Sequence, residues 1–262
     1  MNVPPLTFPV LEAIPWLRHV VTPRDPALPV GGDMSLSTGA SHTDSIIANR
    51  QHWLRHIDRS PDRAVMCGLV HGTTVRRVDE QDGGRGVLSP AKTIARTDAL
   101  ITTEPGLTLM MCFADCVPLI LVDVRNRIIG LGHAGWRGTL AGMADALVTA
   151  MRDQCGADAD AIVAVIGPSI GPRVYTVGPE VVDLFTKAYP DDELIVTENG
   201  ETRLDLWAAN VRQLVRAGIA EDAISCAGIC TYEQGDRFFS HRYALAHKEP
   251  EGRFAVLLTM EG

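Results

Sequence analysis

Two strongly apolar runs separated by two residues constrain the fold of this chain more than any other feature of its sequence. The runs "PLILVDV" and "RIIGLGHA" are rich in strand-forming residues, and only Arg-Asn lies between them. This spacing predicts a tight β-hairpin in which Pro118 faces His133. Cys116 lies two residues beyond Pro118 and shares its face, and such diagonal neighbours are about 7–8 Å apart. The hairpin therefore brings a thiol and an imidazole to one edge of a sheet.

The rest of the chain interleaves helical and strand patterns without strict alternation of the two. Apolar stripes and capping residues predict helices over 43–57, 139–153, 178–189 and 205–218. Apolar or β-rich runs predict strands within 63–72, 73–80, 98–103, 107–113, 161–167, 223–232 and 253–258. This order predicts an α+β fold with mixed β-sheets flanked by helices. The length of 262 residues and the 46% hydrophobic content predict one domain over residues 1–262.

The acidic balance of the chain restricts its partners. The net charge is −8 at pH 7, whereas nucleic-acid-binding domains usually carry basic surfaces, so no nucleic-acid partner is expected. No run approaches the roughly 18 consecutive apolar residues of a membrane-spanning helix, and the first residues lack the basic region of a secretory signal. The sequence predicts a cytoplasmic protein without membrane association, in which the six cysteines are reduced.

His71, Cys116 and His133 are the candidate metal ligands. Each lies beside residues that allow a turn or a close backbone approach. Two imidazoles and one thiolate suit zinc or copper, and three protein ligands would leave a fourth position for water or substrate. Two other interpretations remain open on the spacing alone. Cys116 could be a core thiol beside satisfied histidines, or a Cys–His pair could act as a nucleophile without a metal.

Three further motifs have weaker chemical signals. "GPSIG" matches the G-x-S-x-G pattern, but Pro172 follows too soon for the helix that a nucleophile elbow requires, so a turn is predicted. Arg137, just before a predicted helix, is either an anion-binding group or a surface guanidinium stacked on Trp136. The run "FFSHRYALAHKEPEGR", which contains Arg242, could line a phosphate or ribose pocket or form a solvated face.

The blocks "VHGTTV", "TDALITTEPGLTL", "ADCVPLILVD", "GHAGWRGT", "IGPSIGP" and "LDLWAAN" occur in an order and spacing that resemble the YfiH-like laccase-domain family, also called multicopper polyphenol oxidases. The resemblance extends over nearly the whole chain. It implies the YfiH-like fold, which is similar to a deamidating toxin domain of the CNF type. It also implies that His71, Cys116 and His133 bind a metal, usually zinc and in some members copper.

The resemblance further implies a zinc-dependent purine nucleoside phosphorylase that cleaves adenosine, inosine, guanosine and methylthioadenosine and also deaminates adenosine. The expected partners are purine nucleosides and phosphate, and a monomer is the expected state. The candidates for holding phosphate are Arg137, Arg50 and Arg242. Asp115 is the third catalytic candidate beside Cys116 and His133, because it could orient a ligand or accept a proton.

Other functions stay open under the same resemblance. A true laccase fits poorly, because four-electron reduction of oxygen needs several copper ions and the chain has eight histidines in all. A metal-free Cys–His hydrolase or amidase acting on cell-wall peptides would use Cys116 as its nucleophile. A non-enzymatic factor for peptidoglycan fidelity would retain the metal site for stability.

The chain departs from the family pattern at four positions. Leu69 replaces the usual Gln before "VHG", Ser37 replaces an Asn, and Arg173 and Val174 replace two cysteines. The candidate metal ligands are unaffected. These differences put the substrate range in question.

Overall fold

The computed structural model describes residues 3–36, 42–190 and 193–262, so Ser37 lies outside the described residues. In chain order the helices and strands are α1 (Pro9–Glu12), β1 (Leu17–Val21), α2 (Thr43–His56), β2 (Ala64–Val65), β3 (Val75–Arg77), β4 (Ala99–Thr102), β5 (Thr108–Phe113), β6 (Val117–Asp123), β7 (Ile128–Ala134), α3 (Trp136–Leu140), α4 (Met143–Cys155), β8 (Ile162–Ile166), α5 (Pro179–Ala188), β9 (Ile195–Glu198), β10 (Glu201–Leu204), α6 (Leu206–Arg216), β11 (Ile224–Cys226), α7 (His241–His247) and β12 (Phe254–Met260).

The strands form two large sheets and one small hairpin. One sheet has the order β1-β12-β5-β2, and the other has the order β11-β8-β6-β7-β4-β3. Both are mixed, since β2 is parallel to β5, β11 to β8 and β3 to β4, whereas the central pairs are antiparallel. Strands β9 and β10 form the separate antiparallel hairpin.

The two large sheets pack face to face, with helices on their outer faces. In β6, Leu119 and Leu121 contact the helical side of the sheet, and Ile120 and Val122 contact the other sheet. Since successive side chains of a strand point to opposite faces, this explains why the run is apolar throughout. Helices α4, α5 and α6 cover one outer face, and α2 covers the other. The predicted α+β class, with mixed sheets flanked by helices, is confirmed.

The predicted hairpin is present in the predicted register. Pro118 lies opposite His133, and the antiparallel ladder continues to Asp123 opposite Ile128. The turn has four residues instead of two, because the Asp123 carboxylate accepts hydrogen bonds from the backbone N–H groups of residues 125 and 126. These bonds close a loop that ends the ladder before Val124.

Some predicted elements differ from those observed. The predicted helix over 139–153 is instead α3 and α4, because Gly142 adopts a left-handed conformation with φ 87° between them. The strands predicted over 63–72 and 223–232 are confined to 64–65 and 224–226, since the chain then leaves the sheet edge. The α6 prediction is confirmed, with the Asp205 side chain capping its first turn. No helix follows Ser169 until Pro179, as the turn interpretation required.

Candidate metal centre

His71, Cys116 and His133 converge at one edge of the sandwich. Their potential ligand atoms all lie within 4.8 Å of one another, and the two imidazole centroids are 4.9 Å apart. His71 comes from the loop between β2 and β3, and His133 from β7. Cys116 lies in the connection from β5 to β6, which passes from one large sheet to the other. Within the described ranges, this is the one group of His, Cys, Asp or Glu side chains with such geometry.

The backbone at Asp115 is held in an uncommon conformation that places Cys116. Asp115 has a φ of 82°, which non-glycine residues rarely adopt. Its carboxylate accepts hydrogen bonds from the Thr231 hydroxyl and the Arg242 backbone N–H, both at 2.7 Å. Its own carbonyl accepts one from the Ile170 N–H at 3.0 Å. Two roles were predicted for Asp115, orienting a ligand or accepting a proton, and these contacts fit the first. The catalytic assignment of Asp115 stays a prediction.

Asp98 is a functional candidate that sequence reasoning missed. Its fully buried carboxylate accepts hydrogen bonds from the backbone N–H groups of Val70, His71 and Gly72 and lies 3.2 Å from His133 Nδ1. Burial raises the pKa of Asp98. The hydrogen bonds from His133, Gly72 and His71 lower this pKa by more than burial raises it, so the net shift is downward. The sequence shows only an aspartate directly before strand β4, which is buried throughout, and this does not reveal the partners of Asp98.

The ligand side chains influence one another's ionisation. Burial raises the pKa of the Cys116 thiol, but the imidazoles of His133 and His71 outweigh burial and lower it. Burial lowers the pKa of His133, while Cys116 and Asp98 raise it to a net value above the ordinary range. Without a metal the pair therefore favours a thiolate beside an imidazolium. A thiolate is the form of cysteine that binds metal ions.

Gly135 leaves open the space between the ligand atoms. A Cβ atom at this position would lie 2.8 Å from His71 Nδ1 and 2.9 Å from Cys116 Sγ. One sulfur and two imidazole nitrogens form a donor set that suits Zn²⁺ or a copper ion. The residues present therefore fit a metal ion, with a fourth coordination position available to water or substrate.

Arg137 and Arg242 lie beside this cluster. The Arg137 guanidinium stacks on the Trp136 ring, with 4.2 Å between its central carbon and the ring centroid, and a stacked guanidinium keeps its N–H groups for an anion. Arg242 donates from Nη1 to the carbonyl and hydroxyl oxygens of Thr176, and its guanidinium lies 5.3 Å from the Tyr175 ring centroid. The cluster thus has two cations at its border, and their phosphate-binding role stays a prediction.

Tyr175 is a second residue that the sequence did not single out. Burial raises its pKa to about 12, and the negative charges of Cys116 and Asp115 act in the same direction. The positive charges of Arg242 and Arg137 oppose this shift, and the Arg242 guanidinium lies 5.3 Å from the Tyr175 ring centroid. The phenol therefore keeps its proton at neutral pH and is a hydrogen-bond donor.

Arg50 is not brought into this group. Its side chain is buried, and it donates from Nε to the Met34 carbonyl and from Nη1 to the carbonyls of Gly86 and Val87. These contacts are those of a structural arginine that joins two loops. With these donors engaged by backbone carbonyls, Arg50 is not among the residues that we propose to bind phosphate.

The remaining candidates have structural contacts. Ser169 of "GPSIG" donates to the Gly167 carbonyl and accepts a hydrogen bond from the Trp207 indole. Arg173 forms a surface ion pair with Glu233. The six cysteines are free thiols in the structure. In the part of the chain that is described, no helix has both the length and the apolar character to cross a membrane.

Similarity to known proteins extends over most of the chain. The profile of a family described as multi-copper polyphenol oxidoreductase laccase matches residues 19–261, a range that contains the whole cluster. A purine nucleoside phosphorylase, YlmD of Geobacillus stearothermophilus, is 36% identical over 213 residues, or 80% of this chain and 77% of that protein. An adenosine deaminase from an unknown prokaryotic organism is 38% identical over 184 residues, which are 69% of this chain and 70% of the deaminase. The crystal structure of YlmD from Geobacillus stearothermophilus has a TM-score of 0.88 at 30% identity and covers 97% of this chain and 94% of that one.

Proposed function

The chain belongs to the family described as multi-copper polyphenol oxidoreductase laccase, and from this premise we propose that it is a zinc-dependent purine nucleoside phosphorylase that also deaminates adenosine. Its proposed substrates are phosphate with adenosine, inosine, guanosine or methylthioadenosine. One observation carries the proposal, namely that the ligand atoms of His71, Cys116 and His133 all lie within 4.8 Å of one another. The names of its relatives, a purine nucleoside phosphorylase and an adenosine deaminase, support the same chemistry.

One metal ion is enough for this chemistry, whereas the family's descriptive name implies several. Four-electron reduction of oxygen requires a group of copper ions and many histidine ligands. The cluster in the described residues has two histidines and one cysteine. It supports hydrolytic or phosphorolytic chemistry at one Lewis-acidic centre better than oxidation of polyphenols.

The metal would be held by Cys116 Sγ and one nitrogen each from His71 and His133. A zinc ion bound there supplies a Lewis acid and lowers the pKa of a bound water. The protein holds the ligands in place through Asp98, which contacts His133 and the backbone of His71, and through the bonded carboxylate of Asp115.

The border residues would position the phosphorolysis reactants. Guanidinium groups bind phosphate oxygens through charge-assisted hydrogen bonds. Arg137 follows Gly135 by two residues, and Arg242 donates its backbone N–H to the Asp115 carboxylate, so both residues are anchored next to the segments that carry the ligands. Held there, a phosphate oxygen forms a bond to C1′ as the C1′–N9 bond of the nucleoside breaks. The departing purine takes up a proton, which the hydrogen phosphate gives up overall as it becomes ribose-1-phosphate. The Tyr175 phenol, which stays protonated, is our candidate to donate a hydrogen bond to the departing base.

The decisive test combines metal analysis with turnover. The purified protein is assayed for bound metal and incubated with inosine or adenosine, with and without phosphate. The proposal predicts about one zinc per chain, phosphate-dependent ribose-1-phosphate and purine base, and inosine from adenosine. Cys116→Ser should lose metal and turnover together, and Arg137→Ala should raise the KM for phosphate more than that for nucleoside. A zinc-loaded protein that turns over neither nucleoside would contradict the proposal.

A metal-free Cys–His hydrolase is the second candidate, because His133 and His71 lower the pKa of the Cys116 thiol. Two imidazoles on one sulfur fit metal ligation better than a nucleophile with a single base. The two candidates separate when the protein is treated with a chelator and then with a thiol-alkylating reagent. Peptidase or amidase activity that survives chelation and is lost on alkylation would favour the hydrolase.

A further inference from the structure

We infer that Asp98 is a positioning residue that builds the metal centre before the metal arrives, by fixing both histidine ligands with one carboxylate. Asp98 Oδ1 lies 2.8 Å from the His71 backbone nitrogen and 3.2 Å from His133 Nδ1. The two histidines are 62 residues apart in the chain, and Asp98 links them directly. The inference rests on the metal-binding part of the proposed function and goes beyond it, because it assigns a role outside the ligand set.

The first part of the role concerns the backbone at His71. The N–H groups of Val70, His71 and Gly72 all point to the Asp98 carboxylate, at 2.8–3.3 Å. Successive N–H groups around a left-handed residue form a concave anion-binding site, and His71 has the φ of 60° that this requires. Here the anion is a side chain of the same protein. The carboxylate therefore stabilises the strained conformation that points His71 at Cys116.

The second part concerns the tautomer of His133. A carboxylate that accepts at Nδ1 requires a proton on that nitrogen, so Nε2 is the nitrogen left to bind a metal. The Asp98 side chain is buried completely and that of His133 is 5% exposed, so water does not compete for this contact. Asp98 thereby selects the nitrogen that can act as a ligand.

Asparagine cannot replace Asp98 either in holding the backbone at His71 or in fixing the tautomer of His133. An amide has one acceptor oxygen, whereas both carboxylate oxygens of Asp98 accept backbone N–H groups. If the amide nitrogen introduced by Asp98→Asn faced Gly72, two donors would oppose each other. If it faced His133, it would favour the tautomer with a proton on Nε2, and that nitrogen could not bind a metal.

The chain supplies a matched control in Asp123. Its carboxylate is also buried and accepts backbone N–H groups from Arg125, Asn126 and Asp158, but it lies at the opposite end of the β6–β7 hairpin. Asp123→Asn should therefore lower stability as Asp98→Asn does, while leaving the metal centre intact. Comparing the two variants separates a general loss of stability from a loss of ligand positioning.

The test measures Zn²⁺ affinity by competition with a chromophoric chelator, with the Co²⁺ absorption spectrum as a second measurement. We expect Asp98→Asn to bind Zn²⁺ about 10- to 100-fold more weakly than the unaltered protein and to show an altered Co²⁺ ligand-field spectrum. Asp123→Asn should match the unaltered protein in both. Equal affinity in Asp98→Asn and Asp123→Asn would overturn the inference while leaving the proposed function standing.

If Asp98→Asn does not fold, the unaltered protein still provides a test. With ¹¹³Cd²⁺ bound and histidine labelled with ¹⁵N, the inference predicts scalar coupling from cadmium to His133 Nε2 and a proton on Nδ1. Coupling to Nδ1 would overturn it. A protein that binds neither Zn²⁺ nor Cd²⁺ would contradict both the inference and the zinc dependence, whereas binding without turnover would contradict the proposed reaction alone.

Discussion

The absence of a side chain at Gly135 leaves room for a metal ion between the ligands. Its backbone has φ −73° and ψ 178°, which any residue can adopt, so alanine would be accepted by the backbone. The added Cβ would still lie under 3 Å from His71 Nδ1 and Cys116 Sγ, in the space a metal would share. We predict that Gly135→Ala folds but loses most Zn²⁺ binding and turnover, as measured by metal analysis and nucleoside assay.

The control for this prediction is Gly68→Ala. A Cβ at Gly68 would meet Thr93 Oγ1 at 3.4 Å and the Ile94 carbonyl at 3.7 Å, which are ordinary contacts. Gly68→Ala should keep its metal. Full zinc occupancy in Gly135→Ala would show that the ion binds elsewhere.

The contacts of individual residues also explain which site residues could be predicted from the sequence and which were missed. Cys116 and His133 could be paired from sequence because strand side chains alternate and the hairpin register is fixed by that period. His71 was a candidate because of the glycine beside it, but no local rule places the 66–74 loop beside β7, so the family resemblance was the stronger reason to group it with the other two. Asp98 could not be found by either route, because its partners are 26 to 35 residues away and most are backbone groups.

Among the elements, the connection from β5 to β6 determines where the site forms. Strand β5 belongs to one large sheet and β6 to the other, and only three residues, 114–116, join them. Both strands read as continuous apolar runs, so each strand was predictable, but no local pattern indicates that the two lie in different sheets. That crossing is what places Cys116 at the edge of the sandwich.

The break between α3 and α4 depends on Gly142. Nothing lies within 4 Å of a Cβ added there, so any effect of substitution comes from its φ of 87°. We predict that Gly142→Ala lowers the free energy of unfolding by about 1–2 kcal/mol and that Gly142→Asn lowers it less, because Asn tolerates the left-handed region. Urea denaturation measures both. Equal stability of Gly142→Ala and the original chain would mean that α3 and α4 can merge.

At the scale of the whole molecule, the buried His19 makes stability depend on pH. Its Nε2 accepts the Phe8 backbone N–H at 2.8 Å, and burial lowers its pKa to about 4, with Glu12 opposing the shift. An unfolded histidine has a pKa near 6.5. Between these values the unfolded chain binds a proton that the folded chain does not, so stability falls as pH decreases from about 6.5 to about 4.

We expect this histidine to remove about 3 kcal/mol of stability over that window. Urea midpoints measured between pH 4.5 and 7.5 should fall with pH in the unaltered protein. In His19→Gln, which keeps an acceptor but does not titrate, the slope should be shallower. An unchanged slope would assign the acid sensitivity to other groups. His19 lies on β1, away from the ligand cluster, so zinc affinity at neutral pH should be the same in both proteins.

Metal binding should also stabilise the molecule as a whole, because the three ligands come from segments that the fold brings together. The unfolded chain lacks this geometry, so an ion bound to the native state adds RT ln(1 + [L]/Kd), or about 2.7 kcal/mol at a hundredfold excess over Kd. Removing zinc with a chelator should lower the thermal midpoint, and zinc should restore it. His71→Ala removes an exposed ligand while leaving the core packed, so its midpoint should not respond to chelator. If the unaltered midpoint also failed to respond, the native state would not bind zinc in preference to the unfolded chain.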